Sequence, residues 1–145
     1  MKKLFVWVSL LLLINTGSAA TDANASSIII GNLSGFTGTY SAMAKMQKDA
    51  VDMAVQEINA QGGLLGRKVE VIHEDTETKP SVGQRKMEWL ILEKGAHFFV
   101  GAISSAVTLN LMEVAAKYNK ILMVPISQSP KITTTQKNKQ TFRVC

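Results

Sequence analysis

The chain has 145 residues, a formal net charge of +5 at pH 7, two histidines and one cysteine. That length is enough for one modest domain. The basic residues are scattered, whereas a nucleic-acid interface needs a concentrated patch. Neither His73 nor His97 belongs to a ligand cluster, and Cys145 has no partner cysteine. We therefore predict no metal site, no cofactor, no intramolecular disulfide and no nucleic-acid partner.

The N-terminal residues, 1–20, have the layout of a signal peptide. Two lysines precede an apolar run over 4–14, and small residues occupy 18–20. The run is too short to cross a bilayer, which takes about 20 residues. We predict cleavage after Ala20, a periplasmic location, and a mature chain over 21–145.

Strands and helices alternate through the mature chain. Short apolar runs predict strands buried on both faces of a sheet, and amphipathic spacing predicts helices between them. The predicted strands cover 26–32, 68–73, 98–100, 121–124 and 141–144, and the predicted helices cover 41–61, 80–94 and 106–118. This order predicts an α/β fold with a doubly wound parallel sheet and helices on both faces.

The first predicted helix carries a stripe of apolar side chains at three- and four-residue steps. The stripe consists of Met43, Met46, Ala50, Ala54 and Ile58. We predict that it packs into the core, since a core-facing helix shows this spacing. Gly62-Gly63 is expected to end the helix.

Three loops follow the carboxyl ends of predicted strands, where ligands bind in sheets of this kind. They cover 31–40, 101–105 and 125–130, and all are rich in hydroxyl groups and glycine. The glycines of the first loop either form a tight turn or let backbone N–H groups approach a ligand. Ser104 and Ser105 either cap a helix or bind an anionic group at its N-terminus.

The motifs of several enzyme classes are absent from the sequence. It contains no dinucleotide-binding G-x-G-x-x-G, no phosphate-binding P-loop and no G-x-S-x-G elbow. An exported α/β hydrolase with Ser104 or Ser105 as its nucleophile is the alternative hypothesis, but no base stands in a recognisable arrangement. We predict a binding protein and not an enzyme, and a remnant without function stays open as a third interpretation.

Four stretches together resemble the branched-chain amino acid class of periplasmic binding proteins, the type I solute receptors of ABC importers. They read IIIGNLSGFTGTYS, AVDMAVQEINAQGGLLGRKVEVIHED, VGAISSAVT and ILMVPISQSPKIT. The most specific part is EINAQGGLLGRKVEV. The resemblance implies a protein that passes a small polar ligand, such as an amino acid or amide, to an inner-membrane ABC permease.

The resemblance also implies ligand-binding residues. The hydroxyl that takes the ligand carboxylate in amino-acid receptors matches Ser105. The groups that take the α-amino group and carboxylate match Ile126-Ser127-Gln128, and the aromatic residue that lines the cleft matches Tyr40. Gln128 stands where amino-acid receptors often carry Thr, so amides, urea-like compounds and small organic acids stay open as ligands.

Members of the resembled family have two lobes and more than twice this length. The resemblance therefore implies that 21–145 is an incomplete first lobe, and that the 145-residue product is a truncated fragment. Because the ligand lies between two lobes, we expect weak or no ligand binding and marginal stability from this product.

Overall fold

The computed structural model describes residues 26–145, so the predicted signal peptide lies outside the described residues. Within 26–145 five strands alternate with three α-helices. The strands are β1 (Ile28–Ser34), β2 (Val69–Asp75), β3 (Phe98–Gly101), β4 (Ile121–Val124) and β5 (Thr141–Arg143), and the helices are α1 (Ser41–Ala60), α2 (Pro80–Leu92) and α3 (Ser105–Tyr118). The predicted order of elements is confirmed, and most element ends differ from the prediction by one or two residues.

The five strands form one parallel sheet in the order β2-β1-β3-β4-β5. From β1 the chain moves outward to β2, then returns and continues on the other side through β3, β4 and β5. This is the predicted doubly wound arrangement. The winding reverses between β1 and β3, and their carboxyl ends therefore flank the crevice where such sheets bind ligands.

Helices α2 and α3 cover one face of the sheet. Phe99 and Leu122 have no exposed surface on this face, and they pack in one apolar cluster with Leu90 of α2 and Leu111 of α3. Gly31 lies on the same face, where a Cβ atom would stand only 2.6 Å from the Phe99 ring. Only glycine leaves room for that ring, so the core depends on it.

Helix α1 lies on the opposite face, packed against β2 and β1. A chain of polar side chains joins the helix to the sheet. Gln47 Nε2 donates to Asn32 Oδ1 at 2.6 Å, Asn32 Nδ2 lies 2.9 Å from His73 Nδ1, and His73 Nε2 lies 2.7 Å from Asp52 Oδ1. Because each buried polar group has a partner, this interface avoids the cost of unpaired polar atoms.

The predicted core stripe of α1 is wrong at most of its positions. The helix buries Ala44 and Gln47, while Met43 and Met46 are exposed. Ala50 and Ala54 are exposed as well, and Ile58 is half-buried. The physical reason is the position of α1 over β1 and β2, which turns the Gln47 side of the helix toward the sheet. The predicted end of the helix is confirmed, since Gly63 N donates to Ile58 O at 2.9 Å.

Candidate functional site

An open depression of about 460 Å³ lies at the carboxyl edge of the sheet, beside the point where the winding reverses. Three segments form it: the start of α1, the loop between β3 and α3, and the loop after β4. Its lining residues are Tyr40, Met43, Ile103, Ser104, Ser105, Ala106, Ile126 and Gln128. The structure thus brings five of the six residues singled out from the sequence to one place.

Ser127 is the residue that does not line the depression. Its side chain is buried, with 1% of its surface exposed. Its hydroxyl lies 2.7 Å from Ala102 O and 2.9 Å from Ile103 O, and both carbonyls accept hydrogen bonds. The hydroxyl is therefore committed to the protein interior, and the Ser127 carbonyl already accepts from Cys145 Sγ at 3.4 Å. Its role in binding stays a prediction.

Ser127 belongs to a closed set of hydrogen bonds that we call the hydroxyl clasp, formed by Ala102, Thr108 and Ser127. Thr108 Oγ1 lies 2.6 Å from Ser127 Oγ and accepts from Ala102 N at 3.2 Å. Both side chains are almost completely buried. The clasp ties the loop after β3, helix α3 and the loop after β4 together, so it fixes the relative position of two of the three segments around the depression.

The N-terminus of α3 opens toward the depression. Ser104 occupies the N-cap position, but its side chain makes no capping hydrogen bond. Ser105 Oγ accepts from Ser129 N at 3.3 Å, which leaves the Ser105 proton able to donate. A helix N-terminus carries partial positive charge and unpaired N–H groups. This corner of the depression is therefore suited to a carboxylate or another anionic group.

The glycine-rich loop after β1 is held away from the depression by Asp75. Asp75 Oδ1 accepts from Phe36 N at 3.0 Å and from Glu77 N at 2.8 Å, and Oδ2 accepts from Thr37 Oγ1 at 2.6 Å. Partial burial raises the pKa of Asp75, but hydrogen bonds from Thr37 and from the backbone hold that pKa below its ordinary value overall. The structure therefore favours the tight turn over the ligand-binding interpretation of this loop. Of the residues in 31–40, Tyr40 is the one that lines the depression.

None of the lining residues carries a charge. His73 lies on the α1 face and contacts Asp52, while His97 is exposed just before β3 begins. The pKa of Asp52 lies below its ordinary value, chiefly because Lys48 donates a hydrogen bond to it. Burial raises this pKa, and the contact with His73 lowers it further. Ser104 and Ser105 thus have no base among the lining residues, and the hydrolase hypothesis gains no support from the geometry.

Sequence reasoning missed three of the lining residues. Met43 was assigned to the core, although it follows Tyr40 by three positions and therefore shares its side of the helix. Ile103 and Ala106 flank Ser104 and Ser105 in the sequence. Their position next to these predicted site residues was the signal that could have identified them. All three add apolar surface, so the depression combines a polar corner with an apolar wall.

Among the described residues, 26–145, no helix is both long and apolar enough to cross a membrane. No three of their His, Cys, Asp or Glu side chains lie close enough together to hold a metal ion.

Residues 27–144 match the family model described as periplasmic binding protein. The chain is 30% identical over 106 residues to the Leu/Ile/Val-binding protein BraC3 of Rhizobium johnstonii, covering 73% of this chain and 29% of that protein. It is 35% identical over 97 residues to a chemotactic signal transduction system substrate-binding protein of Halobacterium salinarum, covering 67% of this chain and 24% of that protein.

Solved structures show the same similarity. An ABC-type branched-chain amino acid transporter from Rhodopseudomonas palustris superposes with a TM-score of 0.76 at 30% identity, covering 81% of this chain and 32% of that one. A branched-chain amino acid transporter substrate-binding protein from Streptococcus pneumoniae, solved with isoleucine, gives 0.75 at 25% identity, covering 81% and 33%. The chain thus spans about a third or less of the length of these proteins.

Proposed function

Since the chain belongs to the periplasmic binding protein family, we propose that it is the solute-binding component of an ABC importer, located in the periplasm. Its ligand is an amino acid or a related small polar solute such as an amide or a urea-like compound, which it passes to an inner-membrane permease. The family resemblance and the fold predicted from the sequence are confirmed. The observation that carries the proposal is the convergence of Tyr40, Ser105 and Gln128 on one open depression at the winding reversal.

The polar corner supports binding of a carboxylate or another electron-rich group. Ser105 Oγ keeps a proton to donate and lies at the start of α3, where a helix has unpaired N–H groups. A hydrogen bond to a charged acceptor is stronger than one between neutral groups. Gln128 also lines the depression, is exposed, and offers both a donor and an acceptor. An amide ligand would use the same pair of groups without a net charge.

The apolar wall supports recognition of a side chain. Met43, Ile103 and Ile126 line the depression beside Tyr40. Relatives include a Leu/Ile/Val-binding protein and a structure solved with isoleucine, whose side chains are branched and apolar. A wall of this composition favours such a side chain over a charged one.

The depression is open on one side, so the described residues enclose a ligand only partly. An exposed hydrogen bond contributes little because water competes for the same groups. We therefore expect dissociation constants of about 1 mM or weaker, equivalent to about −4 kcal/mol, for the 145-residue chain. The sequence led us to expect weak or no binding, and of these two outcomes we propose weak binding.

The proposal is tested by titrating the ¹⁵N-labelled chain with L-leucine, L-isoleucine, acetamide and urea. We expect at least one of them to shift the amide resonances of Ser105, Ala106 and Gln128 with saturation. The Ser105→Ala variant is expected to bind about 10-fold or more weakly, because it loses a hydrogen bond to the ligand. Ser81→Ala is the matched control, since Ser81 lies exposed in the first turn of α2.

Two results would contradict this proposal. One is the absence of a saturable shift at these three amides with every member of the panel. The other is equal weakening by Ser105→Ala and Ser81→Ala. A thermal stabilisation of several degrees by a ligand would instead contradict the expected weak affinity.

A further inference from the structure

An arginine is linked to the polar corner of the depression by two successive hydrogen bonds. Arg143, the last residue of β5, is partly buried, and its Nη1 donates to Ser129 O at 3.1 Å. Ser129 N in turn donates to Ser105 Oγ at 3.3 Å. Arg143 does not line the depression itself. It therefore reaches the serine of the proposed ligand site through one intervening residue.

The backbone of Ser129 is held at several points. Its carbonyl oxygen accepts from Arg143 Nη1 and from Ile132 N at 3.2 Å, and a carbonyl oxygen has two lone pairs to fill. Its φ and ψ angles, −58° and 127°, lie in the extended region to which a following proline restricts a residue, and Pro130 follows. The Ser129 N–H therefore has little freedom to turn away from Ser105.

The Ser129 N–H limits what the Ser105 side chain can offer to a ligand. A serine hydroxyl has one proton and two acceptor lone pairs. The N–H at 3.3 Å from Ser105 Oγ takes one lone pair, and the hydroxyl proton cannot point at a donor. The proton is thus directed to an acceptor elsewhere, and an oxygen atom of a ligand in the depression supplies one. The corner therefore favours a carboxylate or carbonyl oxygen over an ammonium group.

Arg143 also brings a positive charge near a depression whose lining residues carry none. The two hydrogen bonds and the single residue between them keep the guanidinium within about 10 Å of Ser105 Oγ. The Debye length in physiological salt is about 8 Å, so part of the attraction survives screening. Coulomb's law then gives an anionic acceptor an advantage of about 2- to 5-fold over a neutral one.

A second contact holds the same loop at a different place. Cys145 Sγ, two residues after Arg143, donates to Ser127 O at 3.4 Å. Ser127 does not line the depression, and its hydroxyl turns into the interior. Of these two contacts, the one from Arg143 is the one whose acceptor residue also contacts Ser105. Bracing of the loop in general can therefore be separated by experiment from an action on Ser105.

We propose that Arg143 is a positioning residue for the ligand site: it holds Ser129 so that Ser105 donates to the ligand, and its charge makes the corner prefer an anionic oxygen to a neutral one. It acts through Ser129 and does not touch the ligand. The inference rests on the proposed function, because it takes Ser105 as a ligand-binding residue. It adds to that function the residue that favours a carboxylate over an amide.

Hydrogen exchange in the ligand-free chain tests the positioning role. Arg143→Ala is expected to speed exchange of the Ser129 amide by about 10-fold, because the Ser129 carbonyl loses one of its two donors. The Leu122 amide donates to Gln140 O between β4 and β5, so an unchanged rate there shows that the strands stay paired. Cys145→Ala is the matched control and should leave both rates within about 2-fold.

Acetate and acetamide, which share a shape and differ in charge, test the specificity role. The Ser105 amide shift against ligand concentration gives both affinities. Arg143→Gln keeps a donor but loses the charge, so acetate should bind about 2- to 5-fold more weakly while acetamide binding stays within about 1.5-fold. Arg143→Lys keeps the charge and should restore acetate binding. Arg85→Gln is the control, since Arg85 is exposed on α2.

Three results would overturn the inference. They are an unchanged Ser129 exchange rate in Arg143→Ala, equal weakening of acetate and acetamide by Arg143→Gln, and the same loss of acetate binding in Arg85→Gln. If Arg143→Ala sped exchange at Leu122 as well, β5 would be loosened as a whole, and the two milder variants of Arg143 would decide.

Failure of the proposed function would look different. In that case neither acetate, acetamide nor the amino acids would shift the Ser105 amide with saturation. The specificity role would then be wrong as well, while the exchange rate of the Ser129 amide would still decide the positioning role. Saturable acetate binding that ignores every change at Arg143 would leave the proposed function standing and overturn this inference alone.

Discussion

The two faces of the sheet differ in how completely helices cover them. On the α2 and α3 side, Phe99 and Leu122 have no exposed surface. Their chain neighbours Phe98 and Ile121 point to the other side and are substantially exposed. The strands are apolar at both sets of positions, so the difference lies in the helices and not in the strands. Burial of a strand residue is therefore decided by what the rest of the chain places over it.

The largest expected effect distinguishes the two neighbouring phenylalanines. Phe99→Ala should lower the free energy of unfolding by about 3–5 kcal/mol, because it opens a cavity in the packed core. Phe98→Ala should lower it by less than about 1 kcal/mol, since much of that ring is already in water. Urea unfolding measures both values. Equal losses would contradict the assignment of one sheet face as covered by helices and of the other as partly exposed.

A smaller loss of unfolding free energy is expected when the buried polar contacts on either face of the sheet are broken. Ser127→Ala breaks the hydroxyl clasp, and Gln47→Ala leaves Asn32 without its donor. Each should cost about 1–3 kcal/mol, the range for unpaired buried polar groups. Only Ser127→Ala should also move the amide resonances of Ser105, because the clasp holds the loops around the depression.

Gln56→Ala is the control for these two variants, since Gln56 is exposed on α1. It should change the free energy of unfolding by no more than about 0.5 kcal/mol. If Gln47→Ala moved the Ser105 resonance as much as Ser127→Ala does, the clasp would lose its specific role in positioning the site.

The smallest expected effect is a pH dependence of stability. The folded pKa of Asp75 lies below its ordinary value, so its ionised form stabilises the fold above the unfolded pKa of about 3.9. That contribution is lost as the pH falls through the folded pKa. Urea unfolding below about pH 4 should therefore show a shallower loss of stability for Asp75→Asn than for the unchanged chain.

Asp49→Asn is the matched control for the pH dependence. Asp49 is exposed and, within residues 26–145, pairs with Lys45 on the same helix alone, and pairs of this kind contribute little. The pH dependence of its unfolding should stay close to that of the unchanged chain. Identical curves of unfolding free energy against pH for Asp75→Asn and Asp49→Asn would contradict this prediction. They would show that the hydrogen bonds from Phe36 and Thr37 to Asp75 do not set the loss of stability at low pH.

Much of the candidate site could be predicted from the sequence. Ser104, Ser105 and Gln128 follow strand ends, and parallel strands end at one edge, so these residues were expected together. The direction of a single hydroxyl could not be predicted in the same way. Ser127 stands between the lining residues Ile126 and Gln128, yet its side chain turns into the interior. In an irregular loop the direction of each side chain is set by its own contacts, because the backbone has no fixed period.

The sequence by itself determined the order of strands and helices, the parallel α/β class and the family, since local periodicity and short motifs carry that information. Only the tertiary structure decided which side of α1 meets the sheet. The spacing of Met43, Met46 and Ala50 shows that these residues share one side of a helix, but it does not say which surface that side contacts. Contacts between Gln47, Asn32 and the neighbouring strands decided it, because buried polar groups must find partners.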